Sequence, residues 1–157
     1  MSTSDKFWDS KAEGYANSPI SDEASYQRKL SETQAVFTPQ MRVLEFGCGT
    51  GYFTVAVAEK SKSVLATDLS DSLLEAAKNR LRDHPEVTVQ KENCLGTSLA
   101  PESCDSVFMA NLIHVVENPT KALEESSRIL RSGGRIVIVT FTGYGMSLWE
   151  KIYSNGR

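Results

Sequence analysis

The chain has 157 residues, with 17 Lys and Arg against 20 Asp and Glu and a net charge of −3, so it is expected to be one domain, 1–157, with a single sizeable core. Its basic residues are scattered rather than clustered, which speaks against a nucleic-acid footprint, and no long apolar run follows Met1-Ser2-Thr3-Ser4, which predicts neither a secretory signal nor a membrane span and places the protein in the cytoplasm. Three cysteines, Cys48, Cys94 and Cys104, are an odd number without paired metal-ligand spacing, so reduced thiols and no metal site are expected.

The first forty residues read as helical. Phe7, Trp8, Ala12, Tyr15 and Ala16 lie on one side of a short amphipathic helix that ends at Ser18-Pro19, and a second helix runs from Asp22 to Phe37. Together they form either a cap on one sheet edge or a lid whose Phe7, Trp8 and Tyr15 cover an organic ligand.

The sheet core is expected over 41–141. Val43 to Phe46 is an apolar run that stops in Gly47, Gly49 and Gly51, and a helix starts at Tyr52. Alternate glycines permit positive φ and let another molecule approach the main chain, while the free N–H groups of the helix start face the same spot. Ser63 to Asp68 is a second short strand ending in an acid twenty-one residues beyond Gly47. In a parallel β-α-β unit that spacing sets the carboxylate beside the glycine turn, where it can accept hydrogen bonds from two ribose hydroxyls. Leu69 to Arg82 is a helix with Ser70 as its cap and Leu73, Leu74, Ala77 and Leu81 as its buried face.

His84-Pro85 breaks that helix, and Val87-Thr88-Val89 opens a third strand toward Glu92-Asn93-Cys94. Asn93 either meets the amine edge of a purine or closes an Asx turn, and Cys94 and Leu95 would flank a flat ring. A loop with Gly96, Ser98 and Pro101 leads to a fourth strand at Asp105 to Asn111, Asn118-Pro119 starts another helix, Gly133-Gly134 ends it, and Arg135 to Phe141 is the fifth strand. The alternation implies an open, mostly parallel α/β sheet of the Rossmann-like kind, order 3-2-1-4-5, with helices on both faces and the binding edge at the carboxyl ends of the strands. Residues 142–157 are expected to end in a short helix around Met146 to Tyr153. That leaves the fifth strand as an aggregation-prone edge and suggests a homo-oligomer formed through it.

A dinucleotide fingerprint G-x-G-x-x-G fails at Tyr52, and the chain has no room for a second mononucleotide half. The pattern E-x-G-x-G-x-G at Glu45 to Gly51, with Asp68 at the next strand end, instead resembles the class I S-adenosylmethionine-dependent methyltransferases. Ala100 to Val107, Asn111 to Val116 and Leu130 to Arg135 are similar to further stretches of that family, so the resemblance covers roughly Phe7 to Phe141. It implies that Gly47, Cys48, Gly49 and Gly51 cradle the methionine part of S-adenosyl-L-methionine, with Glu45 acting near its ammonium. It also implies that Asp68 takes the ribose hydroxyls, Leu69 packs on the adenine, Asn93 and Cys94 line the ring, and Ala110 and Asn111 border the reactive sulfonium.

The activity implied is methyl transfer to a small-molecule acceptor, with S-adenosyl-L-homocysteine as product and neither nucleic acid nor membrane as partner. The alternative is a cofactor-binding module without turnover of its own. A general base, where the acceptor needs one, would be Tyr15 or His114, although His114 at a helix start equally bonds local backbone.

Overall fold

A computed structural model describes residues 6–7, 9–10 and 23–140, together with the backbone of 149–154. Tyr15 and most of the first expected helix lie outside the described residues, as do 141–148. In chain order the elements are α1 (Glu23–Gln34), β1 (Arg42–Phe46), α2 (Tyr52–Ala58), β2 (Ser63–Asp68), α3 (Asp71–Arg80), β3 (Val87–Lys91), β4 (Cys104–Ala110), α4 (Pro119–Ile129), β5 (Leu130–Thr140) and β6 (Trp149–Ser154).

Strands β1 to β5 are parallel in the order β3-β2-β1-β4-β5, as the alternation of strands and helices predicts. Their side chains alternate between two cores. Val43, Phe108, Val137 and Val139 pack with Phe53, Val57, Leu74 and Ala77 on one face, whereas Leu44, Phe46, Val107, Met109 and Ile138 pack with Ile129 and Leu123 on the other. Because both faces are covered, the central strands are apolar at nearly every position rather than at every second one. The chain order reverses direction between β1 and β4, and this switch point places the carboxyl ends of β1, β2 and β4 around one cleft.

Local chemistry sets the helix ends. Ser70 caps α3 by accepting a hydrogen bond from the Leu73 N–H at 3.2 Å, and Asn118 caps α4 by accepting from the Lys121 N–H at 3.0 Å, with Pro119 in the first turn. At the far end of the sheet Asp105 accepts hydrogen bonds from the Arg42 N–H at 2.7 Å, the Arg42 guanidinium at 3.2 Å and the Arg131 guanidinium. These hold its carboxyl below the usual carboxylate range despite the opposing effect of burial. That triad ties β1, β4 and β5 together on the side away from the cleft.

Two expectations are corrected. Residues 149–154 form a strand, not a helix, and pair antiparallel with β5 from Arg135↔Ser154 to Thr140↔Trp149. Strand β5 is therefore not an edge, and the argument for a homo-oligomer through it loses its basis. The physical reason is that a row of unpaired N–H and C=O groups along β5 favours an extended partner, and Trp149, Ile152 and Tyr153 are residue types that suit one. Gly133-Gly134 also does more than end a helix. Helix α4 stops at Ile129, and the two glycines lie inside β5, in an irregular excursion where the pairing with β4 shifts between Cys104 and Ser106.

Candidate functional site

Strand β1 ends at Phe46 and the chain turns through Gly47, Cys48 and Gly49 before entering α2. The Cys48 N–H donates to the Thr67 carbonyl at 2.8 Å, which ties the turn to the end of β2, and the Gly51 N–H donates back to the Cys48 carbonyl at 2.9 Å. Gly47 and Gly49 serve different ends. A Cβ at Gly47 would meet the Leu112 side chain at 2.7 Å, so that position lets two segments pack closely. At Gly49, with φ +55°, a Cβ would meet nothing within 4 Å. There the absent side chain leaves open space above a left-handed backbone, which is the arrangement a main-chain cradle requires.

That open space belongs to a cleft of about 650 Å³, partly open to solvent, lined by Gly47, Gly49, Thr67, Asp68, Leu69, Cys94, Ala110 and Asn111 among others. Asp68 is part of this lining. One carboxylate oxygen accepts from the Gly49 N–H at 2.9 Å and the other from the Ser70 N–H at 3.0 Å. Burial raises its pKa above the ordinary value while these donors oppose the rise. These donors fix the carboxylate in direction, and it remains able to accept a hydrogen bond from the cleft.

Of the expected site residues, Gly47, Gly49, Asp68, Leu69, Cys94, Ala110 and Asn111 converge on the cleft. Asn111 follows β4 with φ 54°, a conformation Asn tolerates, and its N–H donates to the Val139 carbonyl at 2.7 Å. Burial pushes the Cys94 thiol up to about 11, and burial also raises Cys48, so both thiols stay protonated at neutral pH. Cys48 and Gly51 are buried within the turn rather than on the cleft wall. Glu45 is 1% exposed and sits behind the turn, where its carboxyl accepts a 2.6 Å hydrogen bond from the Thr54 hydroxyl on α2.

Asn93 is placed differently from the purine-facing expectation. Its side chain closes an Asx turn, with Oδ1 accepting from the Leu95 N–H at 2.9 Å, and it borders a shallow groove beside the cleft. Glu92, one residue earlier, lines both cleft and groove together with Leu69. Its carboxylate accepts from the Gln90 amide, the Ser98 N–H and the Ser98 hydroxyl, and these bonds hold its pKa low against the effect of burial. The pairing of Asp68 with Lys91 sets Glu92 first beyond the strand end, a register that the sequence alone does not state. Leu112 and Val115 also belong to the cleft, although the sequence does not assign them to it, and Val115 is 43% exposed at its mouth. His114, between them in sequence, is exposed and points no group into the cleft lining.

A family model described as a methyltransferase domain matches residues 44–138, more than half of the chain. The chain belongs to the class I S-adenosylmethionine-dependent methyltransferases. Demethylmenaquinone methyltransferase of Clavibacter sepedonicus is 33% identical to this chain over 101 residues, which cover 64% of the chain and 41% of that relative. The ubiquinone/menaquinone biosynthesis C-methyltransferase of Syntrophotalea carbinolica is 34% identical over 104 residues, covering 64% and 44%. The chain thus spans less than half the length of these two curated relatives. A solved SAM-dependent methyltransferase from Aquifex aeolicus superposes with a TM-score of 0.70 at 21% identity, over 87% of this chain and 74% of that one, and shares the fold.

S-adenosylmethionine is the cofactor of this family, and the cleft fits it. The space above Gly49, which a side chain would fill, suits the amino-acid tail, and the Asp68 carboxylate suits a vicinal diol. Apolar Leu69 and Leu73 stand beside them for a flat ring.

Proposed function

We propose that this domain transfers a methyl group from S-adenosylmethionine to a small apolar acceptor of the quinone or quinol class, as the names of its relatives suggest. The observation that carries the reading is the union in one cleft of a side-chain-free cradle at Gly49, an anchored carboxylate at Asp68 and an apolar wall at Leu112 and Val115. The bound cofactor supplies a sulfonium methyl group that leaves by in-line displacement, with S-adenosylhomocysteine as the product.

The chain's own residues position and desolvate. Gly47 and Gly49 present main chain to the amino-acid tail, and Asp68, fixed by its backbone donors, orients the sugar. Cys94 and Leu69 flank the ring, and Ala110 and Asn111 border the methyl group. Leu112 and Val115 form the side from which an acceptor enters, and their apolar surface favours an acceptor that is itself flat and apolar. Orientation of this kind is worth effective molarities on the order of 10⁵ to 10⁸ M, so a carbon nucleophile already activated as a quinol needs little more from the protein.

The first experiment is a thermal shift with S-adenosylhomocysteine. At 100 times its dissociation constant a ligand stabilises by about 2.7 kcal/mol, which is seen as a raised melting temperature. Release of S-adenosylhomocysteine from S-adenosylmethionine in the presence of a demethylated naphthoquinol then tests the acceptor. Stabilisation without turnover across quinols, phenols and amines would leave a binding module in place of the enzyme.

A further inference from the structure

The connection between β3 and β4, residues 92–103, carries Glu92 and Cys94 into the cleft lining, yet contains no strand or helix of its own. What holds it is α4. The Glu125 carboxylate accepts from the Thr97 N–H at 2.8 Å and from the Thr97 hydroxyl at 2.7 Å, both on the same oxygen. The Arg128 guanidinium donates to the two Glu125 oxygens at 2.7 Å and 2.9 Å and reaches past them to the Leu99 carbonyl at 2.8 Å. Further along, the Glu102 and Ser103 N–H groups donate to the carbonyls of Arg128 and Ile129 at 3.1 Å and 2.8 Å.

The Glu125–Arg128 pair differs from an ordinary surface ion pair, whose two side chains are free to part. The Glu125 side chain is 11% exposed, the two-point contact with Arg128 fixes its direction, and it takes both donors that Thr97 can offer. The Arg128 guanidinium, with Thr97 and against the effect of burial, holds its carboxyl down to about 2, so it is an anion at neutral pH. Within the connection Asn93 closes a tight turn, its side chain accepting from the Leu95 N–H at 2.9 Å and its carbonyl from the Gly96 N–H at 3.0 Å, and Glu92 accepts from the Ser98 N–H at 3.1 Å. Residues 92–98 thus form one hydrogen-bonded piece, and Thr97 is where α4 grips it. Thr97, Glu125 and Arg128 all stand outside the cleft lining.

We propose that Glu125 is a positioning residue for cofactor binding: acting through Thr97, with Arg128 as its brace, it sets the ring-side wall of the cleft at Glu92 and Cys94 from outside. Without Glu125 the ligand itself must order the connection, and the cost of that ordering is subtracted from the affinity. This inference rests on the cofactor reading of the cleft, in which Cys94 flanks the ring. It predicts a loss confined to the ring end, because the backbone donors that fix Asp68 come from Gly49 and Ser70, on other segments.

The test is calorimetric titration of S-adenosylhomocysteine, and separately of adenosine, into the wild-type chain and its Glu125→Ala, Glu125→Gln and Thr97→Ala variants, well below the melting temperature of each. Glu125→Ala should bind both ligands about tenfold more weakly, the lower end for lost hydrogen bonds to a charged group, and by the same factor because both carry the ring. Glu125→Gln keeps an acceptor for the Thr97 N–H and should recover most of that loss. Thr97→Ala changes nothing on α4 and should weaken both ligands in the same direction, so it decides the matter where Glu125→Ala fails to fold. A lower melting temperature with unchanged affinity for both ligands, or a loss for S-adenosylhomocysteine that adenosine does not share, overturns the positioning role and leaves the cofactor reading intact. A wild-type chain that binds neither ligand overturns both.

Discussion

Asp68 joins the glycine turn to the start of α3 by accepting one backbone N–H from each. Asp68→Ala should weaken S-adenosylhomocysteine binding by about 1.5–3 kcal/mol, roughly ten- to a hundredfold, the range for hydrogen bonds to a charged group. Calorimetry that finds an unchanged affinity would remove Asp68 from the site. Gly49→Val should abolish binding for two separable reasons: a β-branched residue is strained at φ +55°, and its side chain enters space that is open. Glu45 makes a prediction for the ligand-free protein. Its folded pKa of about 7 lies above the unfolded value of 4.5, so the folded state binds more protons between the two. The stabilising contribution is full below pH 4.5 and is lost as the pH rises through 7, on the order of 3 kcal/mol for this group. Chemical denaturation of Glu45→Gln across that window should lack this fall, and an unchanged slope would show that Glu45 is ionised in the empty protein. At this scale the glycines and Asp68 were legible because each is dictated by backbone conformation or strand-end spacing. Glu92, Leu112 and Val115 were not, because the direction of a loop side chain depends on register and turn geometry that one sequence does not state.

Helix α3 ties site to scaffold. Its first turn begins at Ser70, which is fully buried, and the Ser70 hydroxyl both caps the Leu73 N–H and donates to Asp9 at 2.5 Å. Ser70→Ala should cost about 1 kcal/mol as the loss of a helix cap, lowering the melting temperature by about 3 °C for a chain of this size. A melting curve that coincides with the wild type would mean that water replaces the hydroxyl without penalty. Caps such as Ser70 and Asn118-Pro119 are readable in advance, since the residue that satisfies the first free N–H groups sits three positions before them. The last element is not readable in this way. Nothing local in residues 149–154 forces an extended chain, and what selects it is the exposed side of β5, a partner that only the assembled sheet provides.

At the scale of the whole molecule, five parallel strands with helices on both faces follow from the alternation of apolar runs and helical periods, and the cleft follows from the reversal of strand order between β1 and β4. The position of β6 carries the remaining consequence. Along β5, Ile136 to Val139 is an uncharged β-branched run buried on both faces, and its outer backbone groups are satisfied by β6 from Arg135↔Ser154 to Thr140↔Trp149. Such a run is an aggregation hazard once its side is open, because another chain can supply the same hydrogen bonds. Ending the chain at Thr140 should therefore convert a concentration-independent species into one whose mass by light scattering grows with concentration, and should speed amide exchange along 135–140. The cleft lies on the strand ends around β1, β2 and β4, none of which pairs with β6, so the shortened chain should still be stabilised by S-adenosylhomocysteine. A shortened chain that stays monomeric would show that β5 needs no partner, and one that loses the ligand response would show that the cleft depends on β6.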